Sequence, residues 1–318
     1  MEEQFHYVFG PVPSRRLGRS LGIDLIPFKT CTYDCIYCQL GQTTAKTVER
    51  KTYVPVNVVL DEVKRRLERG PRPDYITLSG SGEPTLHSEI GEAIQGIKAI
   101  TEIPLAVLTN GSLLWMEDVR KALLNADLVV PSLDAGTSKA FRHINRPHEA
   151  IDFDRMVDGL VAFSQEYSGE LWLEIFFVEG INDTDEEISN MVDLSKRIKP
   201  NRIQLNTVTR PPAEDMSQPL GKEKLEQIAK RFDPQAEVIA DIAPEMTDTQ
   251  RGCMDDILAM VRRRPCTLED ISEAFSLNPS DVVKYLHELE RKGSIESKSV
   301  DGKTYFAANP HRNIPRDS

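Results

Sequence analysis

Cys31-Thr32-Tyr33-Asp34-Cys35-Ile36-Tyr37-Cys38 is the stretch on which the reading of this chain turns. It follows the apolar run Leu21–Ile26, which reads as a strand. Three of the chain's five cysteines lie in these few residues, too clustered for a disulfide framework in 318 residues. On one loop, three thiolates can wrap a single inorganic cluster. A four-iron cube usually takes four cysteines, so three protein ligands leave one iron with an exchangeable position. The spacing leaves two other readings open: a structural zinc completed by a remote Cys or His, and an electron-transfer cluster completed by Cys253 or Cys266. Those two distant cysteines read most simply as small buried apolar residues.

On both sides of this loop, short apolar runs alternate with amphipathic segments. After Leu21–Ile26, strands are predicted over Tyr75–Leu78, Leu105–Leu108, Leu128–Leu133, Leu171–Val178 and Ile203–Val208. A last short strand is expected at Glu237–Ala240. Helices are predicted over Asn57–Arg69, Glu89–Thr101, Met116–Leu124, Phe153–Tyr167, Asp185–Ile198 and Leu220–Phe232. Six strands, each followed by a helix, imply a parallel sheet with right-handed crossovers. A partial barrel explains six consecutive units better than a doubly wound sheet, although periodicity alone leaves both open.

After about residue 245 the pattern changes. Met254–Arg263 reads as a helix. Thr267-Leu268-Glu269-Asp270 resembles a capping box opening a second helix to Phe275. Asn278-Pro279 opens a third, to Lys292. Ile295–Lys298 and Thr304–Ala307 flank the hairpin signal Asp301-Gly302. Three helices and a hairpin make a winged helix-turn-helix. The expected domains are thus 1–245, 246–310 and a loose tail at 311–318.

The net charge of −11 narrows the partners. Residues 250–318 hold basic and acidic residues in equal number, so the whole excess sits in the barrel. A neutral winged helix lacks the basic surplus of most nucleic-acid modules, even with Lys284, His287, Arg291 and Lys292 on its third helix. DNA binding by this unit is left open beside a substrate-presenting or dimerising role. No apolar run approaches a membrane span, and Met1–Pro13 lacks the features of a signal peptide. A soluble, cytoplasmic protein is expected.

The cysteine stretch resembles the signature of the radical S-adenosylmethionine (SAM) superfamily, CxxxCxxC with an aromatic before the last cysteine. The resemblance implies a (β/α)6 TIM-type partial barrel holding a [4Fe–4S] cluster on Cys31, Cys35 and Cys38, with SAM bound at the fourth iron. Reductive cleavage of SAM would give a 5′-deoxyadenosyl radical that abstracts hydrogen from a substrate. Tyr37 would lie against the adenine. Ser79-Gly80-Ser81-Gly82-Glu83-Pro84 resembles the family's GGEP motif, which implies Gly80, Gly82 and Glu83 at the SAM amino group; Ser81 departs from the pattern. Thr109-Asn110-Gly111 is similar to the TNG of related activating enzymes and implies an Asn110 contact. Ser132 and Asp134 match the polar pair at the SAM ribose. Gly180-Ile181-Asn182-Asp183-Thr184 resembles the GxND turn, read as structural because Asn182 and Asp183 suit a turn and Thr184 a helix N-cap. All of these fall at C-terminal strand ends, where barrel enzymes build their sites.

Phe9–Asp24 and Phe28-Lys29-Thr30 bring the chain closest to iron–sulfur oxidoreductases labelled by similarity to wyosine-type tRNA-modifying enzymes. Those enzymes carry a further cysteine set upstream, whereas this chain has no cysteine before Cys31. The resemblance implies a tRNA or protein substrate and a one-electron donor such as flavodoxin or ferredoxin. The rival reading is a redox-sensing regulator whose winged helix binds DNA; a sensor needs only the cysteines, not the full motif set. Arg15, Arg16, Arg19 and Lys29 form a basic group, read either as an anion seat or as partners of barrel acids. Arg146 is a candidate for the SAM carboxylate or a substrate. Gln204 and Asn206 alternate with Ile203 and Leu205 and are expected to point into the barrel.

Overall fold

The computed structural model describes residues 5–69, 71–214, 216–240, 254–275, 277, 279–300 and 303–309. The chain opens with β1 (Val8–Ser14), antiparallel to β2 (Gly18–Ile23). A short parallel pair, β3 (Thr30–Cys31) and β4 (Ala45–Lys46), ties the base of the cysteine loop. Then follow α1 (Val56–Arg69), β5 (Tyr75–Leu78), α2 (Ile90–Ile100), β6 (Leu105–Thr109), α3 (Glu117–Leu123) and β7 (Leu128–Pro131). After them come α4 (Ser138–Ile144), α5 (Phe153–Glu166), β8 (Glu170–Phe177), α6 (Asp185–Ile198), β9 (Arg202–Thr207), α7 (Lys222–Ala229) and β10 (Glu237–Val238).

The main sheet has the order β1-β2-β5-β6-β7-β8-β9-β10 and is parallel from β2 onward. A doubly wound sheet reverses its strand order at a switch point; this one runs in chain order throughout. It is also strongly curled. β2 and β8 are four neighbours apart, about 19 Å across a flat sheet, and no side chain spans that. Yet Arg16, in the turn before β2, donates to Glu174 of β8 at 2.8 Å. Arg15 beside it reaches Asn206 of β9 and the carbonyl of Ala240 beyond β10. The two edges therefore approach each other.

Curling sorts each strand's side chains into two sets. Leu173, Ile175 and Phe177 of β8 join the core beneath the helices. Trp172 faces inward and packs with Leu17, Ala106, Leu128 and Val130. Ile203 and Leu205 lie in the outer core, while Asn206 turns inward and donates to Glu174, as the alternation predicts. The predicted strands and helices lie where the periodicity puts them, with ends shifted by a few residues. The strand expected at Leu21–Ile26 begins at Gly18 and leaves the ladder after Ile23.

Four elements escape the sequence reading, the two-residue strands β3 and β4 among them, too short for any periodicity to show. Gly10, Pro11 and Pro13 make Val8–Ser14 look like loop. The structure puts it at the sheet edge, with a bulge between Phe9 and Val12, where prolines are tolerated. The helix α4 is only two turns long, too short for its period to show.

The C-terminal residues form α8 (Met254–Arg263), α9 (Leu268–Phe275), α10 (Pro279–Arg291) and an antiparallel hairpin of β11 (Ile295–Val300) and β12 (Lys303–Ala308). Thr267 and Asp270 make the expected capping box: Thr267 Oγ1 accepts from Asp270 N, and Asp270 Oδ2 from Thr267 N. Cys266 is buried in the core of this unit with Ile257, Val261 and Leu286. The unit packs on β1, where Val12 joins its core. Arg263 lies over the ring of Phe9 and pairs with Asp24 at 2.6 Å. Arg210 pairs with Asp270 at 2.9 Å. The expected boundary at 245/246, Cys253, Asn278, the Asp301-Gly302 turn and the tail 311–318 lie outside the described residues. Among the described residues no helix is long and apolar enough to cross a membrane.

Candidate active site

The cysteine loop lies at the C-terminal ends of the strands. Its backbone is held from outside itself: Asp34 N donates to Asn145 O, Ile36 N to Ile144 O, and Ile36 O accepts from Glu214 N. Tyr33 and Ile36 are buried and anchor it in the core. The three thiols remain half-buried. Each sulfur has one side-chain nitrogen donor of its own. Lys29 Nζ lies 3.3 Å from Cys38 Sγ, Asn145 Nδ2 lies 3.5 Å from Cys35 Sγ, and Asn110 Nδ2 lies 3.6 Å from Cys31 Sγ. A neutral thiol is a weak acceptor. One donor per sulfur, one of them an ammonium, is the environment of thiolates.

Without a cation those thiolates are disfavoured. Burial, then the Glu83 carboxylate, pushes the Cys31 thiol up to about 12. Burial, then Asp134, pushes Cys35 well up too. Iron binding must therefore expel protons. Among the described residues no three His, Cys, Asp or Glu side chains are grouped as a site for one metal ion. A four-iron cube makes no such demand, because each of its irons takes one thiolate. The three cysteines, one for each of three irons, fit such a cluster.

The loop after β5 packs on the cysteine loop, and its glycines serve that contact. A Cβ on Gly82 would lie 1.9 Å from the carbonyl oxygen of Thr30, the residue before Cys31. Gly80 has φ +116 and presses on Asp24. Glu83 is buried, which raises its pKa against the pull of its hydrogen bonds. Its Oε1 accepts from Thr85 N, Thr85 Oγ1 and Thr109 Oγ1, and Oε2 from Asn110 N at 2.8 Å. Glu83 therefore braces the loops after β5 and β6 together. One lone pair of Oε2 stays open to an ammonium. Asn110 also holds Thr32 Oγ1 at 2.7 Å, and Gly111 has φ +75.

Asp134, beyond β7, is the hub of the opposite wall. Its Oδ2 accepts from Tyr37 OH at 2.5 Å and Asn145 Nδ2 at 2.7 Å, and Oδ1 from Phe176 N at 2.9 Å. Burial pushes its carboxyl up to about 6 despite those bonds. Tyr37 stacks on Phe176 with centroids 3.9 Å apart, so one face of its ring is already covered. Ser132 bridges to Glu174 in the neighbouring strand. Asn182 donates to the carbonyls of Asp134 and Phe176, and Thr184 caps α6, so the GxND turn is structural as expected.

The basic group read from the sequence separates. Arg19 pairs with Asp74. Lys29, with φ +59, is buried against Cys38. Arg15 and Arg16 turn inside the curl. Arg146 pairs with Glu214 at 2.7 Å. Burial raises and the Arg16 guanidinium more than offsets the pKa of Glu174, which ends below the usual range. The sequence reading missed Asn145, Asp24 and Arg263 as parts of the site. Asn145 sits between α4 and a loop with no motif of its own, and the partners Asp24 and Arg263 meet only through the docked C-terminal unit.

Comparison with known proteins bears on family and fold. "GTPase Obg" of Brachyspira hyodysenteriae is 41% identical over 95% of this chain, which spans 45% of that protein's length. "UPF0026 protein MJ1312" of Methanocaldococcus jannaschii is 36% identical over 95% of both chains. The solved structure of TYW1 with a lysine-pyruvate adduct superposes with a TM-score of 0.52 over 72% of this chain and 76% of that one, at 20% identity. Native anSMEcpe with bound AdoMet gives 0.51 over 68% of this chain and 59% of that one, at 18% identity. Both likenesses are of fold. The profile of the radical SAM superfamily, whose members are generally enzymes using a [4Fe–4S] cluster and SAM, matches residues 25–194, the span that carries the cysteine loop and both of its walls. The chain belongs to the radical SAM superfamily.

Proposed function

We propose that this chain is a radical SAM enzyme that holds a [4Fe–4S] cluster on Cys31, Cys35 and Cys38 and binds SAM at the iron without a protein ligand. The observation that carries the reading is the single nitrogen donor at each of the three sulfurs. When bound and reduced, the cluster supplies the electron that cleaves SAM to methionine and a 5′-deoxyadenosyl radical, which abstracts hydrogen from the substrate. Around it, Glu83 Oε2 and the backbone at Gly80 and Gly82 receive the SAM ammonium. Asn110 lies between that subsite and Cys31. Asp134, holding Tyr37 by its hydroxyl, keeps a free lone pair for a ribose hydroxyl. Ser132 supplies a second polar group there, and Tyr37 offers its uncovered face to adenine.

The substrate is a tRNA or a protein in this reading, and the electron donor a flavodoxin or ferredoxin in the cytoplasm. The wyosine-like placement rests on the motifs at 9–24 and 28–30. The C-terminal unit, from residue 246 to 310 and followed by a tail at 311–318, is proposed as a winged helix; the three helices and hairpin support it. Its packing on β1 favours substrate presentation over an independent DNA reader. Nothing favours the regulator reading. The name of the Brachyspira relative does not transfer, because this chain has no Gly-x4-Gly-Lys-Ser/Thr phosphate loop.

Anaerobic reconstitution with iron and sulfide, reduction and addition of SAM test the proposal. The wild type is expected to release 5′-deoxyadenosine, and Cys35→Ala to release none. A wild type that holds zinc but no iron would overturn it.

A further inference from the structure

Four arginines lie within one another's electrostatic reach beside the C-terminal unit, which packs on β1. Arg15 and Arg16 come from the β1–β2 turn, Arg210 follows β9, and Arg264 follows α8. Among the described residues their bonded carboxylates are two: Glu174 on Arg16 at 2.8 Å, and Asp270 on Arg210 at 2.9 Å. Arg15 donates to neutral oxygens, those of Asn206, Thr209 and Ala240. Counted over the described residues, the group carries a surplus of two positive charges.

Surplus charge in a low-dielectric setting is costly. Burial first, then Arg210, Arg16 and Arg264, push the Arg15 guanidinium down to about 10. One polar atom at the same place points the same way: Arg16 Nη1 is buried without an acceptor among the described residues.

We infer that Arg15, Arg16, Arg210 and Arg264 form a seat for the phosphate of a phosphorylated substrate, completed by the C-terminal unit. A phosphate monoester carries close to two negative charges at neutral pH, the surplus present here, and its oxygens match the guanidinium fork. A carboxylate would neutralise only half of it. The seat deepens the enzyme reading and rests on it, since Arg16 pairs inside the curl with Glu174, two residues before the Phe176 that stacks on Tyr37. Through Arg264, the C-terminal unit then takes part in recognising the substrate beside the barrel.

The test is calorimetric titration of the full-length chain with inorganic phosphate, at an ionic strength held constant with chloride. One saturable site is expected. Arg15→Gln and Arg264→Gln should each weaken it about tenfold, the loss of one charge-assisted contact. Arg264→Lys, which keeps the charge without the fork, should fall between, and Arg197→Gln, on the outside of α6, should leave affinity unchanged. If a glutamine variant fails to fold, the wild-type titration and the lysine variant still decide. Heats no larger than those of chloride, or variants that bind like the wild type, would overturn the seat. Phosphate binding needs neither cluster nor SAM. A chain that binds phosphate but makes no 5′-deoxyadenosine would sink the enzyme reading alone, and the converse would sink the seat alone.

Discussion

Replacing Gly82 by alanine should separate cluster binding from folding. The backbone there has no positive φ, so conformational strain is not the issue. Space is: the new Cβ would sit 1.9 Å from Thr30 O and 2.9 Å from Thr30 C, both backbone atoms. The two loops must part by an ångström or so, and no flexible side chain can absorb the movement. Overpacking of this kind costs about 1–3 kcal/mol. The Glu83 N to Thr30 O bond at 3.2 Å is lost with it, worth about 1 kcal/mol. Reduced freedom in the unfolded chain returns about 0.4–1 kcal/mol. The net loss is about 1–4 kcal/mol, which a domain with the usual 5–15 kcal/mol or so survives. The proposed cluster is expected not to survive it, because Thr30 precedes Cys31 and metal–ligand distances tolerate only about 0.2 Å. Urea unfolding and iron per chain after anaerobic reconstitution measure the two effects. Gly180→Ala is the control: φ is +71 with nothing within 4 Å, so it should cost about 1 kcal/mol by strain alone and hold its iron. A Gly82→Ala protein with wild-type iron content, or one no less stable than Gly180→Ala, would refute the close approach as the reason for glycine here.

Asp134 should impress a pH dependence on stability. Its folded carboxyl titrates near 6 rather than 3.8, so between those values the native state holds more protons than the unfolded one. Stability therefore falls as pH rises through that window, by about 3 kcal/mol in all. Asp134→Asn should flatten this slope in a urea series, and equal slopes in the two proteins would contradict it. Lys29→Met removes the ammonium beside Cys38 and should lower the cluster's midpoint potential by about 50 mV, roughly 1 kcal/mol for one electron; an EPR-monitored titration showing no shift would reject the contact. Arg263→Met strands the buried Asp24 carboxylate and should cost about 3 kcal/mol. A double-mutant cycle with Asp24→Asn is expected to recover about 1–3 kcal/mol of coupling, and simple additivity would show that the pair does not hold the C-terminal unit.

Local pattern carried most of the architecture. Six apolar runs with a helix after each imply a parallel sheet with right-handed crossovers, while its winding in chain order is decided by the folded structure. Gly80 and Gly82 meet Asp24 and Thr30, and Asn182 meets Asp134, only in the folded chain, whereas the cysteine spacing was legible, being set within a few residues. Val8–Ser14 was not, since its pairing is decided by an edge strand's tolerance of proline rather than by its composition.

Contacts between segments distant in sequence belonged to the folded chain alone. Asn145 reaches Cys35 only because α4 ends against the cysteine loop. Glu83 reads as a ligand residue, yet most of its lone pairs go to Thr85, Thr109 and Asn110. Arg15 and Lys29 read as one basic group, but the fold sends one inside the curl and the other to a sulfur. Arg264 carries no signal at all until the C-terminal unit docks. The alternation of strands and helices and the clustering of the three cysteines were written in local periodicity and spacing, and could be read there. Which donor faces each sulfur, and which charges gather without partners, could not: both depend on how a curled sheet brings its distant edges together.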